Sequence, residues 1–257
     1  MRFLRWESLP SEMQNEKVLP YYNTLKKRRL GRFFKRLFDI SVSLSMIILT
    51  SPILIILAIA IKIDSKGPVF YRQVRVTRYN KQFRIFKFRT MVVDADKIGA
   101  QVTLKNDSRI TKIGKLIRKC RLDELPQLFN ILTGDMSFVG TRPEVPKYTE
   151  KYTPEMMSTL LMPAGVTSKT SVYFKDEDEL LDKSKNPDET YINEILPIKM
   201  YYNLKTIKEF GFWRDIGVLF MTVFAVLGKK YERDLEGEKS LKNTEKEEVE
   251  SNIVANA

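Results

Sequence analysis

The stretch ISVSLSMIILTSPILIILAIAI, residues 40–61, decides the fold. Its 22 residues carry no charge, and a helix that rises about 1.5 Å per residue can cross the hydrocarbon core of a bilayer over this length. A buried helix of a soluble protein is the alternative, but 22 uncharged residues are more than a small domain usually encloses. The stretch therefore predicts a helix in a membrane.

The midpoint and the flanks of this stretch leave its path through the membrane open. Ser51 and Pro52 lie at the midpoint, where the proline removes a backbone donor and clashes with the preceding turn, so we expect a kink or a break. Cationic residues mark the cytoplasmic side of a membrane helix, and here they flank both ends: Lys35 and Arg36 before, and Lys62, Lys66, Arg72 and Arg75 after. The residues alone allow a kinked helix that spans the membrane or a re-entrant helix that turns back.

The composition predicts an anionic partner and narrows the chemistry. Lys and Arg number 44 against 32 Asp and Glu, a formal net charge of +12, which favours nucleic acid, a lipid surface or a phosphorylated substrate. The absence of His excludes a Ser-His-Asp triad, and the single cysteine, Cys120, excludes an internal disulfide. The cationic residues concentrate around the apolar stretch and form no nucleic-acid motif. We therefore expect membrane lipid as a partner, and no nucleic acid.

Composition divides the chain into four parts. Residues 1–32 lack a sustained period and are predicted to be a variable N-terminal extension, and residues 33–66 carry the membrane helix. Residues 67–228 have the patterns of a folded domain, whereas residues 229–257 are almost wholly charged or polar and predict a disordered tail.

The pattern within residues 67–228 predicts mainly helices with short β segments. Segments 69–75 and 83–89 mix aromatic and branched residues with cationic ones, as short strands do. Apolar residues recur every three or four positions over 110–132, which predicts a helix that Pro126 kinks or splits.

Two further helices are predicted towards the end of this domain. Helical spacing resumes over residues 189–209. The uncharged run 216–227, with Trp213 just before it, is too short to span a bilayer and predicts an interfacial or core helix.

The acidic pair Asp123 and Glu124 is the first candidate for chemistry. Neighbouring side chains on a helix point about 100° apart, so the two carboxyls cannot flank one substrate atom as an acid and base pair. One of them can act as a nucleophile or a magnesium ligand while the other orients it. Taken by itself, such a pair beside arginines is usually a solvated helix face.

Cationic residues from other segments are candidates for binding phosphate. They are Lys87, Arg89, Arg118 and Arg142, with Arg75 in the Gln73-Val74-Arg75 block. Residues 134–147 contain two Gly and two Pro, a loop composition that can bring backbone amides and Arg142 close to an anion.

Three blocks of sequence resemble the signature blocks of a known family. The blocks are KFRTM (87–91), RKCRLDELPQLFN (118–130) and GDMSFVGTRP (134–143), in an order and spacing similar to the bacterial sugar transferases. These are monotopic phosphoglycosyl transferases that act on polyprenyl phosphate. The resemblance is close over residues 33–148 and includes the Ser51-Pro52 pair.

The resemblance implies a particular membrane fold. A re-entrant helix broken at Ser51 and Pro52 would place both of its ends on the cytoplasmic face of the bacterial inner membrane, beside a cytoplasmic catalytic domain with amphipathic interfacial helices. The family's minimal form, without further membrane helices before residue 40, is the expected one.

The resemblance also implies a reaction. Asp123 would attack the β-phosphate of a UDP-sugar, release UMP and form a sugar-phosphoryl aspartate, from which polyprenyl (undecaprenyl) phosphate takes the sugar phosphate. This would be the first membrane step in making a surface polysaccharide or glycoconjugate such as exopolysaccharide, capsule or lipopolysaccharide. Mg²⁺ held by Asp123 is the expected cofactor, with Glu124 in support. The expected substrate-binding residues are Lys87, Arg118, Arg142 and Pro143, with Arg89 and Arg75 at weaker positions.

Departures from the family pattern leave parts of this function open. Thr77 and Thr141 stand where many members have Gly and Pro, and MPAGVTSKT (162–170) has an extra residue and lacks a usual Trp, which predicts a different sugar or nucleotide preference. The alternative function is a basic, membrane-bound binding or scaffold module without chemistry. The sugar, and whether the chain forms a homodimer, stay open.

Overall fold

The computed structural model describes residues 3–95, 107–174 and 186–234, which fold mainly as helices with short strands. The predicted disordered tail lies outside the described residues from position 235 onward. The helices are α1 (Leu19–Lys27), α2 (Arg29–Asp64), α3 (Lys112–Lys119), α4 (Gln127–Thr133), α5 (Pro146–Thr149), α6 (Lys169–Tyr173), α7 (Pro187–Thr190), α8 (Leu196–Lys208) and α9 (Phe212–Val226). The strands are β1 (Phe70–Tyr71), β2 (Val74–Val76), β3 (Gln82–Arg84), β4 (Lys87–Phe88), β5 (Met136–Val139) and β6 (Ala164–Thr167).

The first four strands form one antiparallel hairpin in a single register. Phe70 pairs with Phe88 at its open end, and Arg75 pairs with Phe83 nearer the turn. Tyr79 and Asn80 close the hairpin with positive φ values of 58° and 55°. Strands β5 and β6 pair in parallel elsewhere. The prediction of a mainly helical domain with short β segments is confirmed.

Helix α2 runs for 36 residues and contains Pro52. A proline there removes the amide that would donate to the carbonyl of Ile48, four residues earlier. The Ser51 hydroxyl donates to that same carbonyl at 2.8 Å and so satisfies it. The expected break at Ser51 and Pro52 does not end the helix. The serine satisfies the carbonyl that the proline leaves open, and the proline remains the position at which the helix can bend.

The middle of α2 presents a long apolar face to the surroundings. It is the one helix among the described residues that is long and apolar enough to cross a membrane. Its exposed apolar side chains include Leu44, Ile48, Leu49, Ile53, Ile55, Ile56, Ile59 and Ile63. Such a continuous apolar surface needs a lipid or protein cover, so the predicted membrane helix agrees with the structure.

The N-terminal half of α2 is bound to the domain through buried polar contacts. Lys35 donates its ammonium to Asp215 Oδ2 in α9 at 2.6 Å and to the carbonyl of Val139 in β5 at 2.7 Å. Arg36 donates to the carbonyls of Ile131 and Leu132 at 2.6 and 2.8 Å, and so caps the C-terminus of α4.

The C-terminal end of α2 is bound to the same domain. Asp64 Oδ2 accepts the backbone amide of Ile113 at the start of α3, at 3.0 Å. Ile61 is buried against Phe88 and Ile117. Both ends of the long helix are thus attached to one body.

The segment before α2 is part of the core, although the sequence predicted only a variable extension there. Leu9, Met13, Val18, Tyr21, Tyr22 and Leu25 are buried in the largest hydrophobic cluster. Tyr22 donates its hydroxyl to the carbonyl of Leu4, and the amide of Leu4 donates to the Tyr79 hydroxyl in the hairpin turn. Residues 3–27 therefore pack against the hairpin and the helical domain.

The predicted helix over residues 110–132 is split, as Pro126 suggested. Helix α3 ends at Lys119, a 3₁₀ turn covers Leu122–Glu124, and α4 begins directly after Pro126. Arg121, before the turn, has a left-handed backbone with φ of 56°. The acidic pair thus lies on a turn between two helices.

The two later helices also appear. Helices α7 and α8, joined by a π-turn at Tyr191–Ile195, account for the spacing over residues 189–209. Helix α9 exposes Trp213, Phe220, Val223 and Phe224 while it buries Asp215, which fits the interfacial alternative rather than a core helix.

We expect the buried pair between Lys35 and Asp215 to anchor α2 to α9. Asp215→Ala leaves a buried ammonium without its carboxylate, which should cost about 3–5 kcal/mol. Thermal unfolding of Asp215→Ala in detergent should have a lower midpoint than that of wild type. The double variant Lys35→Met/Asp215→Leu should recover most of the lost midpoint temperature. Glu209→Ala, which removes only an exposed ion pair with Arg214, is the control. Equal midpoints for Asp215→Ala and Glu209→Ala would contradict the anchor.

Candidate active site

The acidic turn meets two cationic side chains from distant parts of the chain. Glu124 Oε1 accepts the ammonium of Lys87 at 2.9 Å and the guanidinium of Arg142 at 3.2 Å. Lys87 comes from β4 in the hairpin, and Arg142 from the loop after β5. The structure therefore brings together Asp123, Glu124, Lys87 and Arg142, as the sequence predicted.

The charges in this cluster depend on one another. Burial alone would raise the pKa of Glu124, but Lys87 and Arg142 outweigh it and hold that pKa well below its usual range. Burial lowers the pKa of Lys87, and Glu124 acts in the opposite direction. Glu124 is consequently ionised, and one of its oxygens is occupied by two cations.

Asp123 has a different environment from its neighbour. Burial, together with the adjacent charge of Glu124, raises the pKa of Asp123, while Lys87 and Arg118 lower it. The side chain is half-buried. A carboxylate with a raised pKa is a stronger nucleophile than an ordinary one and needs no general base. Asp123 is therefore the candidate nucleophile of the pair, and Arg118 is close enough to influence its charge.

Asn130 fixes the strand that delivers Lys87. Its buried amide accepts the backbone amide of Phe86 at 2.8 Å and donates to the carbonyl of Arg84 at 3.2 Å. Asn130 belongs to α4, directly after the acidic turn, so it joins the two halves of the site. This role of Asn130 is not predicted from the sequence, where a polar residue within an apolar helical pattern is the available signal.

The loop that carries Arg142 is held against β6. The amide of Gly140 donates to the carbonyl of Thr167 at 3.0 Å, and the amide of Gly165 donates to the carbonyl of Thr141 at 2.8 Å. A Cβ at Gly165 would come within 2.1 Å of the Gly140 nitrogen, so only glycine permits this approach. This close packing directs Arg142 towards Glu124.

Pro143 and Glu144 continue this support. The carbonyl of Pro143 accepts from Arg75 Nη1 at 3.1 Å. Buried Glu144, whose role the sequence does not predict, accepts the Tyr191 hydroxyl at 2.5 Å, and Lys199 donates to that hydroxyl at 3.0 Å. Pro143 therefore contributes its carbonyl to the framework of the loop.

Arg89 lies away from this cluster. Its buried guanidinium donates to the carbonyls of Lys66 and Ser65 at 2.6 and 2.7 Å, and to the Ser65 hydroxyl at 2.9 Å. These contacts cap the C-terminal end of α2. The structure does not support the predicted place for Arg89 among the substrate-binding residues, because its donors are directed to the helix end.

The oxygen ligands of the site are sufficient for a magnesium ion only when a phosphorylated substrate adds its own oxygens. Among the described ranges, no group of three Asp, Glu, His or Cys side chains could enclose a metal. Glu124 is engaged by Lys87 and Arg142, which leaves Asp123 as the carboxylate that can offer an oxygen. Mg²⁺ is commonly bound by one or two carboxylates together with substrate phosphates.

The fold and the site combine a helix long and apolar enough for a membrane with an acidic pair set among Lys87, Arg118 and Arg142. Comparison with known proteins identifies the family: the model of the bacterial sugar transferases matches residues 30–229, and the chain belongs to this family.

Curated relatives carry names that describe one kind of reaction. The chain is 37% identical over 224 residues to the UDP-glucose:undecaprenyl-phosphate glucose-1-phosphate transferase of Klebsiella pneumoniae, covering 85% of this chain and 45% of that protein. It is 36% identical to the UDP-N-acetylgalactosamine-undecaprenyl-phosphate N-acetylgalactosaminephosphotransferase of Aeromonas hydrophila, covering 76% and 44%. It is also 36% identical to the undecaprenyl-phosphate galactose phosphotransferase of Salmonella typhimurium, covering 82% and 44%. The chain thus spans less than half the length of these relatives.

The ion pairs of Glu124 predict a pH-dependent contribution to stability. Because its pKa is lowered on folding, the contribution is fully present above the unfolded value of about 4.3 and is lost as the pH falls through the folded value. Glu124→Gln should therefore lower the thermal midpoint at neutral pH, and the difference from wild type should narrow below about pH 4. Glu150→Gln, at an exposed position, is the control. A difference that does not change with pH would contradict the ion pairs.

Proposed function

We propose that the chain transfers a sugar phosphate from a UDP-sugar to polyprenyl phosphate and releases UMP. The observation that carries this proposal is the unequal acidic pair: Glu124 is held by Lys87 and Arg142, and this leaves Asp123 as a half-buried nucleophile beside the same cations. Relatives whose names specify undecaprenyl phosphate and sugar-phosphate transfer support the reaction class.

The first half of the reaction forms a covalent intermediate. An oxygen of Asp123 attacks the β-phosphorus of the donor, the bond from that phosphorus to the bridging oxygen breaks, and UMP leaves with the electron pair. Lys87, Arg118 and Arg142 bind the phosphate oxygens and stabilise the charge that develops on them. Mg²⁺ bound by Asp123 and the diphosphate would supply further charge neutralisation.

The second half returns the carboxylate. A phosphate oxygen of the polyprenyl carrier attacks the same phosphorus, Asp123 departs as a carboxylate, and the product is a polyprenyl-diphospho-sugar. Neither half requires the enzyme to remove a proton from a nucleophile, because both nucleophiles are already anions. This chemistry suits a chain without His.

The donor sugar is proposed only as a class. The relatives' names specify glucose, N-acetylgalactosamine and galactose on similar sequences. The proposed reaction would be the first membrane step in the assembly of a surface polysaccharide or glycoconjugate, and later steps would use its polyprenyl-diphospho-sugar product.

The attachment of α2 supports a re-entrant topology. Lys35 and Arg36 bind the domain near one end of the helix, and Asp64 binds it at the other. One water-exposed body cannot lie on both sides of a bilayer, so both helix ends belong on one face. The cationic residues around both ends support the cytoplasmic face for both, with α9 in the interface and Trp213 in the lipid.

The nucleophile assignment is tested with one substitution. Purified protein in detergent, given Mg²⁺ and UDP-glucose, UDP-galactose and their N-acetylamino forms, should release UMP from at least one donor. Without polyprenyl phosphate, sugar-labelled donor should leave label on the protein. Asp123→Asn should lower UMP release by roughly 10³-fold or more and abolish the label. Asp135→Asn, a carboxylate in the turn after α4, should retain both.

Two outcomes would contradict the proposal. If no donor releases UMP from the wild-type protein, the reaction is wrong. If Asp123→Asn keeps its activity, the chain fits the alternative of a basic membrane-bound module or uses another nucleophile.

Topology is tested by labelling introduced cysteines. In a Cys120→Ser background, Lys27→Cys and Lys66→Cys flank α2 at exposed positions, and a membrane-impermeant thiol reagent should label both from the cytoplasmic side only. Leu49→Cys, near the middle of the helix, should resist the reagent until detergent is added. Labelling of the two flanks from opposite sides would show a spanning helix.

A further inference from the structure

One face of the hairpin presents a row of side chains towards the acidic turn. Tyr71 pairs directly with Lys87, and directly opposed residues in an antiparallel ladder share a face. The carbonyl of Gln73 accepts the amide of Ile85 in the same register, so Tyr71, Gln73 and Arg75 alternate along this face. The same face carries Phe83 and Ile85, which pack against α4. The row therefore runs beside the acidic turn, with Tyr71 next to Lys87 and Arg75 near Arg142.

The amide of Gln73 is held in one orientation. Arg75 donates to Gln73 Oε1 through Nε at 3.0 Å and through Nη2 at 2.6 Å. A guanidinium has only donors, so the oxygen of the amide must face Arg75 and its NH₂ group must point elsewhere. Arg75 is itself fixed by the carbonyl of Pro143. Gln73 thus offers a preset hydrogen-bond donor.

Tyr71 presents a ring beside the same site. Its side chain is 37% exposed, whereas the preceding Phe70 turns to the opposite face and stacks on Phe88. Arg75 has a pKa lowered by burial, with Glu144 and Tyr71 among the groups that act in the opposite direction, which places the tyrosine within electrostatic reach of that guanidinium. An exposed aromatic ring next to a phosphate site is a platform on which a base can stack.

We propose that Tyr71 and Gln73 bind the nucleobase of the donor, an inference that rests on the proposed function. The ring of Tyr71 stacks on the pyrimidine, and the Gln73 amide donates to O4 of uracil. Cytosine carries an amino group at that position, which cannot accept this hydrogen bond. The pair therefore selects uridine nucleotides, and Arg75 is the positioning residue that orients Gln73.

Stacking is tested by using calorimetry to measure the affinity of the full chain in detergent for UMP. Tyr71→Ala should weaken UMP binding roughly tenfold, the usual loss when an aromatic platform is removed. Tyr71→Phe keeps the ring and should lose less. Inorganic pyrophosphate should bind equally to all of these proteins, since it has no base. Tyr231→Ala removes a tyrosine that lies outside the hairpin and contacts Lys229, and should leave UMP binding unchanged.

The role of Gln73 is tested by selectivity between two bases. Glu at this position keeps an oxygen for Arg75 and removes the NH₂ donor, so Gln73→Glu should lower the ratio of UMP to CMP affinity at least roughly threefold. The ratio of the two affinities is measured because the added negative charge weakens the binding of UMP and CMP equally. Gln82→Glu makes the same change at an exposed position of the same hairpin and should keep the wild-type ratio.

The outcomes separate this inference from the proposed reaction. If wild type turns over a UDP-sugar but Tyr71→Ala and Gln73→Glu keep its UMP affinity and selectivity, the base site is wrong and the reaction stands. A raised KM for polyprenyl phosphate alone in Tyr71→Ala would assign this face to the lipid and would also overturn the base site. If wild type neither binds UMP nor releases it from any donor, both proposals fail.

Discussion

Helix α2 is attached to the domain by polar contacts at both ends, and most of the architecture follows from this constraint. Lys35 and Arg36 bind carbonyls of β5 and α4, while Arg89 closes the opposite end of the helix. With lipid as the cover of the apolar middle, these contacts would hold the domain against the membrane surface.

The acidic turn divides two tasks between neighbouring carboxylates. Glu124 stays charged because two cations compensate for its burial, and it keeps both cations in place. Asp123 has no such strong stabilisation, and its pKa moves upward. The two neighbouring carboxyls thus differ, with Glu124 as the fixed member and Asp123 as the candidate nucleophile. The arrangement depends on the left-handed backbone of Arg121, which turns the pair out of the helical path.

The features that the sequence could predict are those that depend on local composition or on whole motif blocks. Residues 40–61 identify the membrane helix because the core of a small domain seldom encloses so long an uncharged run. The acidic pair gained its meaning from the surrounding blocks, since two carboxylates alone resemble a solvated surface. The role of Arg89 as a helix cap was not predictable, because it depends on carbonyls 23 and 24 positions earlier in the chain. The same holds for the Asn130 amide and its contacts across the hairpin.

Residues 3–27 show that the start of the family match and the start of the packed core are different positions in this chain. Similarity to the family begins at residue 30, yet Met13, Val18 and Leu25, which lie before it, are completely buried in the main hydrophobic cluster. The residues that match the family model therefore do not include all of the residues that form the core of this chain. An expression fragment cut at the first homologous residue would expose the surface that these side chains cover, and a useful truncation has to follow the core instead.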